Sequence, residues 1–143
     1  MLALRRAAIV LTALILVAAV GAGAAGAKKK HKKKHPSWSS QITLTHPSDN
    51  QFAGLVSSKF DPCRDSRVVT LFYTDPVTAQ AQPLSVQRTT AKGNYQVVLP
   101  QPAYGGTYHA EVSQQNVRHR KVTDTCKAAS SSSIEVQGPP LTP

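Results

Sequence analysis

The sequence predicts an all-β fold, a seven-stranded two-sheet sandwich preceded by a helical signal peptide. Three observations predict it. From Trp38 onward the apolar residues recur with a period of two rather than 3.6. Clusters of Pro, Gly, Asn and Asp cut that alternation into short runs. Past the leader, no long window presents an amphipathic helical stripe. The 143 residues allow one folded domain, expected over 38–137. Before it lie a leader at 1–27 and a Lys/His-rich segment at 28–37, and after it a frayed tail at 138–143.

The leader begins with Arg5 and Arg6, and Ala7 to Val20 is apolar apart from Thr12. Ala25-Gly26-Ala27 then supplies the small-x-small pattern of a signal-peptidase site. Two readings fit. One is a cleaved secretory signal. The other is an uncleaved membrane anchor, because the Ala/Gly end extends the apolar stretch towards bilayer-spanning length. Six lysines directly behind the leader also resist translocation. Either way the domain is expected to be secreted or held at the cell surface.

Those lysines are Lys28, Lys29, Lys30, Lys32, Lys33 and Lys34, interleaved with His31 and followed by His35 and Pro36. Like charges at this density repel and there is nothing apolar to bury, so the segment is expected to be extended and disordered. It reads either as a solvated spacer or as an electrostatic adhesive for anionic headgroups or acidic wall polymer. Near an anionic membrane each lysine contributes about 1 kcal/mol. Metal binding through His31 and His35 is disfavoured, since two ligands among cations make a poor site; no metal or cofactor is expected. The formal charge of +10 belongs mostly to this end of the chain: Arg5, Arg6 and the six lysines are eight of the 17 cations. The nine from Lys59 onward face all 7 acidic residues, so the domain carries only about +2. Such a tail attracts phosphates without reading sequence, and export argues against a specific nucleic-acid partner.

Within the domain, Gln41 to Thr45 alternates and is the expected first strand. Trp38, ahead of it, covers one end of the sandwich. His46-Pro47-Ser48-Asp49-Asn50 is the turn into Phe52–Val56, where Phe52, Gly54 and Val56 share a face. Arg67 to Thr74 is the strongest strand, with Val69, Leu71 and Tyr73 on one face and Val68 and Phe72 on the other. Leu84, Val86 and Arg88 alternate next, then Tyr95, Val97 and Leu99. Lys92-Gly93-Asn94 marks a tight hairpin between them, with Gly93 at positive φ. Tyr108, Ala110 and Val112 follow, and Ile134 and Val136 close the set. Tyr73, Tyr95 and Tyr108 take inward parity, with hydroxyls near sheet edges.

Cys63 and Cys126 are an even count in a chain read as exported, and their spacing fits no zinc pattern. A structural disulfide is favoured over two unrelated buried thiols. It closes a loop of about 60 residues, worth on the order of 4 kcal/mol, and pins a long Arg/Lys-bearing loop from Asn116 to Lys127.

The stretches Phe52-Ala-Gly-Leu-Val-Ser-Ser, Arg67-Val-Val-Thr-Leu-Phe-Tyr after Cys63, Thr89-Thr-Ala-Lys-Gly-Asn-Tyr-Gln-Val and Gly106-Thr-Tyr-His-Ala-Glu-Val together resemble a carboxypeptidase-regulatory-like domain. The likeness is closest to short secreted bacterial versions and covers roughly residues 50–136. It implies a transthyretin-like, immunoglobulin/prealbumin-type seven-stranded sandwich and an accessory, adhesive or spacing role rather than chemistry. The enzymes of that fold have signatures this chain departs from. Hydroxyisourate hydrolases end in Tyr-Arg-Gly-Ser, whereas this chain ends in Pro-Leu-Thr-Pro. Intradiol dioxygenases need two Tyr and two His iron ligands in a larger chain.

The remaining polar residues do not assemble into a catalytic set. His109 takes outward parity and is expected to be solvated. Glu111 and Glu135 fall on outward faces of separate strands, so they do not form a carboxylate pair. No Gly-x-Ser-x-Gly elbow is present, and Ser130 to Ser133 reads as a polar linker. Arg118-His119-Arg120-Lys121 is a candidate anion-binding patch, in which neighbouring cations disfavour protonation of His119. The function expected is therefore a non-enzymatic module for interaction or structural support at the cell surface, with a protein or polysaccharide partner. The alternative is binding of an anionic membrane or wall polymer through the segment 28–35.

Overall fold

The structure is a computed structural model and describes residues 35–139. Apart from one 3₁₀ turn at Asp61–Cys63, every regular element in that span is a strand. The strands are β1 (Ser37–Trp38), β2 (Ser40–Ile42), β3 (Thr45–Ser48), β4 (Gln51–Ser58), β5 (Val68–Thr74) and β6 (Ala81–Arg88), then β7 (Asn94–Val98), β8 (Gly106–Val112), β9 (Gln115–His119), β10 (Val122–Cys126), β11 (Ala129–Ser130) and β12 (Ile134–Val136). They form a sandwich-like arrangement of sheets. The first sheet runs β11-β8-β5-β6, with β12 also on β8. In the second, β2 and β3 pair with successive stretches of β4, and β7 pairs with β4 along Gln51–Leu55. The third is the small sheet β1-β10-β9.

The core follows the period-two pattern. Val69, Leu71 and Tyr73 of β5 are fully buried, and the residues between them are partly exposed. Tyr108, Ala110 and Val112 of β8 join them in the core, with Phe52 and Val56 of β4 and Val97 of β7 from the second sheet. Each large apolar side chain buried in this way contributes roughly 1.5–3 kcal/mol.

Several expectations are corrected. Twelve strands replace seven among the described residues, partly because the expected first strand breaks at Thr43. The Thr43 carbonyl accepts the Tyr95 hydroxyl at 2.6 Å, and a Cβ at Gly54 would overlap that carbonyl oxygen. The chain there is turned towards the tyrosine, which separates β2 from β3. Trp38 lies within a strand, since β1 pairs in parallel with β10. His46, Pro47 and Ser48 belong to β3, leaving the turn to Asp49 and Asn50. Gly93 has φ +89° as expected, but β6 and β7 pair with β5 and β4, in different sheets. The Lys92-Gly93 turn is a corner between sheets, not a hairpin.

In β6, Leu71 pairs with Ser85 and Phe72 with Pro83, so Leu84 is the extra residue of a bulge. The bulge reverses the parity beyond it, and Val86 is 60% exposed rather than inward. Ser130 belongs to β11 with Ala129, and the linker expected from Ser130 is left to Ser131–Ser133. At the other end, the Pro139 carbonyl accepts the Gly105 amide at 2.9 Å, so the expected frayed tail is tied down at least that far.

The three core tyrosines bond backbone carbonyls. Tyr73 donates to Gly105 at 3.2 Å and Tyr108 to Tyr104 at 2.9 Å, and Tyr95 donates to Thr43. Burial raises the ionisation point of each above the usual tyrosine value, for Tyr73 with help from Asp75 and Tyr104, and pushes Tyr108 up to about 12. Below pH 10 the phenols are neutral in both folded and unfolded chains. Above it the unfolded chain releases protons that the folded one keeps, so stability falls as pH rises. Tyr108 alone is expected to remove on the order of 2–3 kcal/mol between pH 10 and 12. Urea midpoints across that range test this, and Tyr108→Phe should flatten the profile.

Candidate functional site

The small sheet β1-β10-β9 carries the candidate site. Expected as a loop, Asn116 to Lys127 is a hairpin: Val122 pairs with His119, Thr123 with Arg118 and Asp124 with Val117. Its inward face was hard to read because an acid sits on it. Asp124 is only 4% exposed, and its Oδ1 accepts the Trp38 indole N–H at 3.0 Å. Trp38 also stacks on Phe60, with ring centroids 5.0 Å apart. The hairpin is thus held by β1, by an indole and by a buried carboxylate.

Two stronger ties fasten it to the sandwich. Cys63 and Cys126 form a disulfide, both fully buried, with Cα atoms 5.4 Å apart. Cys63 ends the 3₁₀ turn and Cys126 ends β10, so the bond joins the turn to the hairpin. Arg67 is the second tie and is also fully buried. Its Nη1 donates to the Cys63 carbonyl at 2.7 Å and to Ser40 Oγ at 3.0 Å. Its Nη2 donates to the carbonyls of Ser113 at 2.6 Å and Lys127 at 3.0 Å. All four acceptors are neutral oxygens, and desolvation lowers the guanidinium's ionisation point from its ordinary value. The backbone N–H of Arg67 donates to Thr89 Oγ1 at 2.8 Å, and that hydroxyl donates to the Arg64 carbonyl at 2.6 Å.

At the tip of the braced hairpin, Arg118, Arg120 and Lys121 are exposed. Among the described residues, Arg64 pairs with Asp61 and His109 lies beside Glu111, and the tip cations have no carboxylate within ion-pair distance. Arg120 takes φ +56° in the turn, a region that disfavours any residue with a Cβ. Arg120→Gly is expected to raise stability by roughly 0.5–1 kcal/mol, read as a higher urea midpoint. A cation thus stands where glycine fits better.

The other sequence candidates lie elsewhere. Lys28, Lys29, Lys30, Lys32, Lys33 and Lys34, and the leader, fall outside the described residues. His109, expected to be solvated, is half-covered: it stacks on Phe72 at 5.0 Å, and its Nε2 lies 3.6 Å from Glu111 Oε1. Glu111 and Glu135 are both exposed, on β8 and β12. Among the described residues no group of three or more His, Cys, Asp or Glu side chains converges as a metal site. An open groove of about 510 Å³ runs beside Trp38, lined by Trp38, Gln41, Lys59 and four serines.

Arg67 and Asp124 were missed in the sequence, yet parity marks both. Arg67 is two residues before Val69, and Asp124 two before Cys126, so each shares the inward face of its strand. The chain matches no protein-family model and no curated protein.

Proposed function

We propose that this chain is an exported, non-enzymatic β-sandwich module of the immunoglobulin/prealbumin-like kind that works at the cell surface, making its contact there by electrostatics. The observation that carries the reading is the basic hairpin: Arg118, Arg120 and Lys121 are exposed on a turn held by a disulfide, a buried arginine and an indole–carboxylate bond. A rigid display of charge suits binding more than spacing. A disulfide of this kind persists in oxidising compartments, which agrees with the leader at 1–27. The resemblance to carboxypeptidase-regulatory-like domains points to the same accessory role.

Expression of the full chain in a secreting host tests this reading. The protein is expected outside the cytoplasm, cleaved before Lys28 and carrying the oxidised pair. It should adhere to anionic cell-wall material and be released by raising the salt concentration. A chain that stays cytoplasmic and reduced overturns the proposal. Recovery in carbonate-resistant membranes selects the uncleaved anchor over the cleaved signal, and adhesion insensitive to salt overturns the electrostatic contact.

A further inference from the structure

The register of the small sheet brings the segment from His35 to Trp38 alongside the basic hairpin. β1 runs parallel to β10, with Ser37 opposite Thr125 and Trp38 opposite Cys126. The ladder continues backward: Thr125 N–H donates to the Pro36 carbonyl at 2.9 Å, and His35 Nδ1 donates to the Thr123 carbonyl at 3.2 Å. Thr123 is in turn opposite Arg118. His35, Thr123 and Arg118 therefore form one row across three strands, and Ser37, Thr125 and Asn116 form the next.

These rows face outward. Trp38, Asp124 and Cys126 take the covered face of β1 and β10, and alternate residues must take the other. His35, Thr123, Arg118, Ser37 and Asn116 are all exposed. With strands about 4.8 Å apart, His35 and Arg118 flank the Thr123 hydroxyl at a separation of about 10 Å. The row ends beside the turn that carries Arg120 and Lys121.

We infer that this outward face is a binding track for a linear, phosphate-bearing polymer without stacking bases, contacted by Arg118, Arg120, Lys121 and the Thr123 hydroxyl. The inference rests on the reading of the chain as a binding module and names the ligand of its basic hairpin. Four features fix the class. The face is cationic and the one acid of the hairpin, Asp124, is buried on its other side. Arginine forks and hydroxyls suit phosphate oxygens. Val122, 42% exposed, is the single large apolar side chain exposed on the hairpin among the described residues, too little to insert into a bilayer. Trp38 is committed to Asp124 and Phe60, so no aromatic platform faces the track for stacking bases. A polymer of phosphates lying along the face satisfies all four.

Binding of long-chain inorganic polyphosphate to the oxidised chain beginning at Lys28 tests the inference, with orthophosphate, single-stranded DNA and vesicles of phosphatidylglycerol as comparators. Polyphosphate should bind more tightly than any comparator, with an affinity that falls as salt rises. The triple variant Arg118→Gln, Arg120→Gln, Lys121→Gln should bind at least about tenfold more weakly, and its salt slope should drop by about 2. Lys92→Gln, in the corner between β6 and β7, should leave binding unchanged. Arg120→Gly separates binding from folding, since it should bind more weakly while unfolding at higher urea. An unchanged affinity in the triple variant overturns the track, as does an equal loss on Lys92→Gln. Tighter binding to vesicles or to DNA overturns the polymer class. Binding of other polyanions but not of polyphosphate overturns this inference alone, whereas absence of all polyanion binding also overturns the electrostatic contact; export and oxidation of the chain are judged separately by where it is recovered.

Discussion

Arg67→Ala is expected to remove about 3–5 kcal/mol of folding free energy, a large share of the roughly 5–15 kcal/mol of a domain this size. The guanidinium is fully buried and satisfies four oxygens at once. Three are carbonyls at the ends of other elements: the 3₁₀ turn, β8 and β10. A backbone carbonyl cannot be removed by mutation, so truncating Arg67 strands the buried Cys63 carbonyl and takes this donor from the part-buried Ser113 and Lys127 carbonyls, at about 1–3 kcal/mol for each left unpaired. Arg67→Met fills more of the volume but strands the same acceptors, so it should recover less than half the loss. Arg67→Lys keeps the charge, but an ammonium has three donors around one point and does not span two pairs of oxygens. It should lose about 2 kcal/mol. Urea unfolding of the oxidised proteins reads all three. A cost below about 1 kcal/mol for Arg67→Met would show that the carbonyls find other partners and that Arg67 is not a brace.

Where one strand face was apolar, the architecture was legible. Val69, Leu71 and Tyr73 are buried as the alternation of β5 required, and so are Tyr95, Val97, Tyr108, Ala110 and Val112. The sequence failed where a polar residue held an inward position. Arg67 and Asp124 look like surface residues by composition, and only their partners make them core. The hairpin β9–β10 was hidden for the same reason and one more: its turn is Arg120-Lys121, without the Gly or Asn that signals a reversal. The bulge at Leu84 has no local signature either, since it is set by the pairing of β6 with β5. Of the candidate site, the charges Arg118, Arg120 and Lys121 were visible, but not their place. The parallel pairing of β1 with β10, which sets His35 across from Arg118, joins segments almost ninety residues apart in sequence. No short-range pattern encodes that.

Loss of the disulfide should be felt mainly in the unfolded chain. The bond joins residues 63 apart in sequence, and releasing a loop of that length restores conformational freedom worth about 4 kcal/mol. Cys63→Ala with Cys126→Ala is expected to lower the Tm by roughly 15–20 °C. The folded hairpin has other ties. Arg67 bonds the Cys63 carbonyl and the carbonyl of Lys127, next to Cys126, so it links the same two segments as the disulfide. Trp38 and Asp124 hold β1 to β10 independently. The double variant, kept below its lowered Tm, should therefore retain the hairpin and its polyanion affinity within about twofold. Arg67→Ala in the oxidised protein should do the reverse, keeping the covalent link while loosening the packing around it, so that amide exchange in β9 and β10 accelerates ahead of global unfolding. If removing the disulfide abolishes binding while the sandwich remains folded, the disulfide rather than Arg67 is what positions the hairpin.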